Sequence, residues 1–122
     1  MTTEQRETSI LIGSDKVEGT DVYGADGKKI GSIERVMIGK RDGKVAYAIL
    51  SFGGFLGMGH DHYPVPWQIL TYDTGLSGYK TNLTESQLKA APKIPSKGEW
   101  DWNEPQSRSV SDYYKQPFIE WY

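Results

Sequence analysis

His60 and His62 are the two side chains whose type and spacing come closest to a metal site. In an extended segment, residues i and i+2 project to the same side, so both imidazoles could share a zinc, nickel or copper ion while Asp61 points away. A third ligand would have to come from a distant carboxylate such as Asp42 or Asp73. The alternative is a polar turn that leads into the next strand. We favour the turn and predict neither a metal nor a cofactor.

The preceding segment, residues 53–59, holds four glycines in the run Gly-Gly-Phe-Leu-Gly-Met-Gly. A phosphate-binding loop normally precedes a helix and carries Gly-Lys-Ser/Thr, whereas a proline-containing strand is predicted to follow here. We therefore interpret the segment as an apolar flap. Phe55, Leu56 and Met58 would pack on a neighbouring subunit or on the open end of the chain's own domain, and we predict them as partner-binding residues.

Side chains arranged for nucleophilic or acid–base catalysis are not evident. No serine stands in a Gly-x-Ser-x-Gly motif. The chain has no cysteine, which excludes thiol nucleophiles, disulfides and thiolate metal sites. Most aspartates fall at turn signals, where Asp has a role in the backbone. We predict no catalytic residues and a protein that is not an enzyme.

Residues 93–122 are unusually aromatic and hold seven of the fifteen aromatic side chains. These rings could cover the outer apolar face of a strand at 45–52, cross to a second subunit, or become ordered on a different partner. Trp and Tyr are typical anchors of protein interfaces. We therefore predict four residues of this segment as partner-binding, namely Trp100, Trp102, Phe118 and Trp121.

The elements that would position these residues are mainly strands. Asp-Gly at 26–27 and at 42–43 predicts two hairpin turns. Residues 45–52 are apolar on both faces, which predicts a central strand covered on both sides. Residues 30–38 are rich in Ile and Val but irregular in spacing, so we expect a bulged strand with the slip at Gly31 and Ser32. The other predicted strands are 17–23, 63–67, 69–72 and 79–83.

Two helices are predicted. Thr84 and Gln87 have the spacing of a capping box, and Pro92 would stop the helix that they begin. A second, short helix would run from Ser109 to Lys115 in the aromatic segment.

Together these elements predict an all-β fold, a small antiparallel β-barrel of five or six strands with one short closing helix. The predicted organisation is a polar leader at 1–13 and a barrel domain at 14–92. An aromatic-rich C-terminal extension at 93–122 would pack on the barrel or on a second subunit.

The order of these signals resembles the PRC-barrel domain family over about residues 12–92. The resemblance rests on Gly19, Val22, Asp26-Gly27, Ile30-Gly31, Ile33, Val36, Gly43-Lys-Val-Ala-Tyr47 and Pro64-Val-Pro-Trp67. The family includes the cytoplasmic domain of the photosynthetic reaction-centre H subunit and the C-terminal domain of a ribosome maturation factor. The resemblance implies a small barrel that binds other proteins, without catalytic residues.

Charge and hydropathy narrow the classes of partner. The net charge of −2 argues against a dedicated nucleic-acid binder. The basic residues near the first two turns are interpreted as solvated turn tips. No apolar run approaches the length of a membrane span, so we expect a cytoplasmic protein.

The sequence therefore predicts a non-enzymatic protein–protein interaction module. We expect it to self-associate, with a dimer as the first expectation, and to adapt or scaffold a protein partner. Two alternatives stay open. One is a small metal- or ligand-binding protein that uses the loop of His60 and His62. The other is a ribosome-associated accessory factor, which rests on fold-level analogy alone.

Overall fold

The computed structural model describes residues 4–52, 61–95, 98 and 100–117. In this part of the chain, a 3-10 turn at Trp67–Ile69 links the fourth and fifth of six strands. The elements in chain order are α1 (Ser14–Val17), β1 (Asp21–Tyr23), β2 (Lys29–Ile38), β3 (Val45–Phe52), β4 (Asp61–Pro66), β5 (Thr71–Asp73), β6 (Gly78–Lys80), α2 (Glu85–Lys89) and α3 (Glu104–Tyr113).

The strands form one mixed sheet in the order β4-β3-β2-β1-β6-β5. The prediction of a β fold is confirmed, but the prediction of a closed and wholly antiparallel barrel is wrong. β1 and β6 run parallel, with Val22 opposite Tyr79, while the other neighbouring strands are antiparallel. The parallel pair arises because the chain reaches β6 through the β5 hairpin rather than through a turn from β1.

The outer edge of β4 favours an open sheet. The Ile94 N–H donates to the His62 carbonyl at 2.8 Å, so the main-chain groups of residue 62 face away from β3. Residues 64 and 66 share that direction because main-chain groups alternate along a strand. Both are prolines without an N–H, so this edge lacks the donors that a further continuous strand would need.

Both predicted Asp-Gly turns are present. Asp26 and Asp42 each accept a hydrogen bond, at 2.9 Å, from the N–H two residues further on. Gly27 and Gly43 take φ angles of +82° and +71°, in the left-handed region that glycine adopts without a Cβ clash. These two aspartates are therefore turn residues.

β2 is bulged, as predicted, and one of its irregularities lies next to the predicted slip. Its pairing with β1 shifts between Lys29 and Gly31, and its pairing with β3 shifts between residues 33 and 35 and again between residues 37 and 38. Gly31 also serves a close approach to β3, because a Cβ there would lie 2.7 Å from the Ser51 carbonyl oxygen.

β3 is an interior strand, between β4 and β2, and its residues 46–50 are all buried. Ile49 and Leu50 are fully buried although successive side chains point to opposite faces, so both faces of β3 are covered. The other large, fully buried apolar side chains include Val22, Ile33, Val65, Leu88 and Val110.

The predicted closing helix is present as α2, but it is one of three α-helices in the described part of the chain. α2 has the predicted capping box, in which the Gln87 N–H donates to Thr84 Oγ1 at 3.1 Å and the Thr84 N–H donates to Gln87 Oε1 at 2.9 Å. α1 occupies part of the predicted first strand.

α3 begins earlier than predicted. Its N-cap is Asn103, whose Oδ1 accepts from the Gln106 N–H at 2.9 Å, and a proline stands in its first turn. Ser109, the predicted cap, donates its hydroxyl to the Gln106 carbonyl at 2.7 Å inside the helix. Asn and Ser are both good caps, and the proline after Asn103 marks the correct one.

Candidate interaction surfaces

His62 contacts Glu34, a residue outside the sequence predictions. Its Nε2 lies 3.0 Å from Glu34 Oε2 on β2, and the same Glu34 oxygen lies 3.3 Å from Arg35. The adjacent Asp61 forms an ion pair with Lys93 at 3.4 Å. The polar end of β4 is thus joined to β2 and to the segment after α2.

The two predicted third metal ligands have structural partners. Asp42 accepts from the backbone of its turn, and Asp73 Oδ1 accepts from the Leu76 N–H at 3.0 Å. Among the described residues, no three His, Cys, Asp or Glu side chains are placed to hold a metal ion. His60 lies outside the described residues.

Trp102 of the C-terminal segment packs against β3 of the same chain, and Trp100 packs against Trp102. The ring centroid of Trp102 lies 4.9 Å from that of Tyr47, and Trp100 meets Trp102 edge-on at 5.5 Å. Trp102 has a positive φ of 61°, and its carbonyl accepts from the Ser107 hydroxyl at 3.0 Å. Trp100 Nε1 is buried without an acceptor among the described residues. The predicted role of both rings in partner binding stays a prediction.

α3 also packs against the domain, and a hydrogen bond joins it to α2. Val110 is fully buried, and Ser107 and Ser111 on the same helix are also buried. The Tyr113 hydroxyl donates to the Gln87 carbonyl of α2. α3 therefore presents its small and apolar face to the domain and its charged residues to water.

A groove of about 510 Å³ lies between the 3-10 turn, the segment after β6, α2 and the end of α3. Its apolar side chains are those of Ile69, Leu83 and Tyr113. Polar residues at the groove include Gln68, Asn82, Lys115 and Gln116. The groove thus combines aliphatic surface with carboxamides and one ammonium group.

Tyr114 borders this groove, and its hydroxyl is buried without a hydrogen-bond partner among the described residues. Burial raises the pKa of this hydroxyl far above its usual value, and the nearby Tyr113 and Tyr63 add smaller effects in the same direction. Tyr114 is therefore a neutral phenol at physiological pH, which makes it a weak proton donor rather than a base.

The predicted polar leader contains an ordered turn, which we call the N-terminal hairpin (residues 6–13). The Thr8 N–H donates to the Leu11 carbonyl at 2.7 Å, and the Leu11 N–H donates to Thr8 Oγ1 at 2.9 Å. The Gly13 N–H donates to the Arg6 carbonyl at 2.6 Å. These bonds define the conformation of the tip at Ser9 and Ile10.

Side chains attach the N-terminal hairpin to the domain. The Tyr72 hydroxyl on β5 donates to Glu7 Oε2 at 2.6 Å, and Arg6 pairs with Asp15 of α1. The bond to Glu7 raises the pKa of Tyr72, and the bond from Arg6 lowers the pKa of Asp15. Ile12 packs against the core.

The tip of the N-terminal hairpin points into water. Ile10 is 89% exposed and Leu11 is 69% exposed, the two largest exposures among the large hydrophobic side chains described. None of the sequence predictions includes this feature. The signal that could have found it is the short apolar run at 10–12, which follows a Thr that can close a turn.

Five of the predicted partner-binding residues cannot be placed on these surfaces. Phe55, Leu56, Met58, Phe118 and Trp121 all lie outside the described residues.

The sequence of this chain matches the model of a known protein family. Residues 11–88 match the PRC-barrel domain, from the N-terminal hairpin to α2. The chain belongs to the PRC-barrel domain family. The family assignment made from the ordered sequence signals is therefore confirmed. No curated protein matches the PRC-barrel chain.

PRC-barrel domains are small modules that mediate protein interactions and are generally non-catalytic. Within the described ranges, this PRC-barrel protein has no helix that is long and apolar enough to cross a membrane. Ile10 and all of α3 lie outside the region matched to the family.

Proposed function

We propose that this PRC-barrel protein is a non-enzymatic interaction module that self-associates and adapts or scaffolds a protein partner. The observation that carries the proposal is the exposed tip of the N-terminal hairpin. Hydrogen bonds fix the conformation of a turn in which Ile10 is 89% exposed and Leu11 is 69% exposed. Neighbouring exposed aliphatic side chains on an ordered turn are more typical of a contact site than of free surface.

The polar side chains first considered for chemistry favour the same conclusion. Asp26 and Asp42 accept backbone hydrogen bonds in turns. His62 contacts Glu34, and Asp61 contacts Lys93. These groups have structural roles, and the pKa of Tyr114 is raised in the direction that keeps the phenol neutral rather than nucleophilic.

The aromatic and flap residues form the second part of the proposal. Trp100 and Trp102 would shape the C-terminal segment by packing on β3, as their contacts with Tyr47 and with each other support. We propose Phe55, Leu56, Met58, Phe118 and Trp121 as further partner contacts on the strength of the sequence alone.

The solution mass of the full chain tests self-association. Light scattering after gel filtration, repeated over a wide range of protein concentration, should give a mass of two copies that falls on dilution. A mass of one copy at every concentration would contradict self-association. Cross-linking of the full chain with a lysine-reactive reagent provides an independent control, since it should then give a two-copy band.

A further inference from the structure

We infer that the tip of the N-terminal hairpin of one copy inserts into the groove beside α3 of a second copy. This inference rests on the proposed self-association and adds the surface that makes it. Its basis is the match between two features of one chain, a projecting tip and an open groove.

The tip presents two kinds of chemistry. Ile10 and Leu11 offer aliphatic surface that leaves water favourably when it is covered. The carbonyls of Ser9 and Ile10 accept no hydrogen bond from any described residue. A surface that covers the tip must therefore supply apolar contacts together with hydrogen-bond donors.

The groove offers both. Ile69, Leu83 and Tyr113 supply apolar contacts. The carboxamides of Gln68 and Asn82 can donate hydrogen bonds to main-chain carbonyls. A volume of about 510 Å³ has room for the tip of a tight turn with two aliphatic side chains.

Charge supports the same pairing. Lys115 lies at the groove and forms no ion pair with a described carboxylate. The N-terminal hairpin with its flanks, residues 4–18, is net acidic, because it holds four carboxylates against the two basic residues Arg6 and Lys16. Apposition of the tip and the groove would bring opposite charges together at the rim, which orients the partners more than it tightens them.

A tip that enters the groove must come from another molecule, because Ile10 is 89% exposed and so does not lie in the groove of its own chain. When one chain carries both a tip and a groove, two copies related by a two-fold axis can exchange tips and make the contact twice. A second copy therefore satisfies both features at once.

The test uses two variants of the full chain and a mixture of them. Leu11→Asp places a charge on the tip, and Asn82→Tyr fills the groove with a larger polar side chain. Each variant alone should lose the two-copy mass in light scattering. An equimolar mixture should regain a two-copy species at high protein concentration, more weakly than the wild type, because the intact groove of the first variant accepts the intact tip of the second and one of the two contacts forms.

Controls separate this result from loss of folding. Ile38→Asp changes another exposed apolar residue, which is 52% exposed, and should leave the dimer unchanged. Circular dichroism and urea unfolding should show both test variants folded.

Each other outcome overturns the inference. If the wild-type chain is a dimer and Leu11→Asp is still a dimer, the interface lies elsewhere and self-association stands. If both variants are monomeric and their mixture associates no more than either variant alone even at the highest protein concentration, the tip does not occupy the groove. If the wild type is a monomer throughout, self-association fails as well. Binding of that monomer to phosphatidylcholine vesicles, lost in Leu11→Asp, would then assign the tip to a lipid surface.

Discussion

The N-terminal hairpin and the C-terminal segment both flank the same sheet, but they differ in the exposure of their apolar side chains. In the C-terminal segment, Trp102 packs 4.9 Å from Tyr47 and Val110 is fully buried. In the N-terminal hairpin, Ile10 and Leu11 stay in water.

The difference follows from how each addition is attached. α3 has a capped N-terminus and one face of small and apolar side chains, so docking buries that face. The N-terminal hairpin is attached largely through polar contacts, from Tyr72 to Glu7 and from Arg6 to Asp15. Polar anchors can hold a turn in place without covering its tip. Apolar content alone therefore does not tell which segment is buried and which is displayed.

The largest effect on stability is expected when a buried apolar side chain of the C-terminal segment is replaced by a charged one. Val110→Asp puts an unpaired carboxylate at a fully buried position and should lower the free energy of unfolding by about 3 to 5 kcal/mol. Urea denaturation followed by circular dichroism measures it. Ser109→Asp, exposed on the same helix, removes only the hydroxyl's bond to the Gln106 carbonyl and should lower stability by about 1 kcal/mol or less. Equal losses in both variants would mean that α3 is not docked as described.

Removal of the Trp102 ring should have the next largest effect. Trp102→Ala deletes the contact with Tyr47, and since the ring is only partly buried we expect a loss of about 2 to 3 kcal/mol. Trp102→Phe keeps an aromatic ring and should recover part of that loss. A loss below about 0.5 kcal/mol for Trp102→Ala would indicate a ring that contributes to partner binding rather than to folding.

The Tyr114 hydroxyl is also buried, but its removal should not destabilise the fold. Because it is buried without a partner, Tyr114→Phe should leave the free energy of unfolding unchanged or raise it by up to about 1 kcal/mol. Burial raises the pKa of Tyr114 above its ordinary value of 10.0, so the native state favours the neutral phenol. The resulting stability is present below pH 10.0 and is lost as the pH rises toward the native-state pKa.

Urea denaturation at increasing pH measures this effect, and Tyr114→Phe should lose stability less steeply above pH 10.0 than the wild type. Burial also raises the pKa of Tyr63 and of Tyr79, so some alkaline loss should remain in the variant. Destabilisation by Tyr114→Phe of more than about 1 kcal/mol would reveal a partner for the hydroxyl.

The smallest effect on folding stability is expected at the exposed tip of the N-terminal hairpin. Ile10→Ser and Leu11→Ser should each change the free energy of unfolding by less than about 0.5 kcal/mol at concentrations where the chain is monomeric. At higher concentration the wild type alone should gain stability through association. A large loss in the dilute variants would show that the tip is part of the folded core.

Local signals in the sequence predicted local structure well. The capping box of Thr84, the two Asp-Gly turns and the two covered faces of β3 depend on atoms a few residues apart or on a continuous apolar run. The N-cap of α3 was mispredicted because two good capping residues compete in one segment.

Pairings between distant residues were less predictable. Nothing near Val22 in the chain indicates a parallel partner at Tyr79, and nothing near His62 indicates Glu34. The same holds for the hydroxyl of Tyr72, which finds Glu7 at the far end of the sequence. Each contact depends on which elements meet after the chain has folded.

By itself, the amino-acid sequence determined the turns, the covered strand at 45–52 and the capped helix α2, because these follow from steric preferences and hydrogen bonds between near neighbours. The order of such signals along the chain, which resembles that of known members, indicated the family. Only the tertiary structure decided that the sheet stays open beyond Pro64 and Pro66, that Trp102 lies on Tyr47 and that Ile10 and Leu11 remain in water. The reason is that burial is a property of packed elements. The same apolar side chain is core or contact surface according to what stands opposite it.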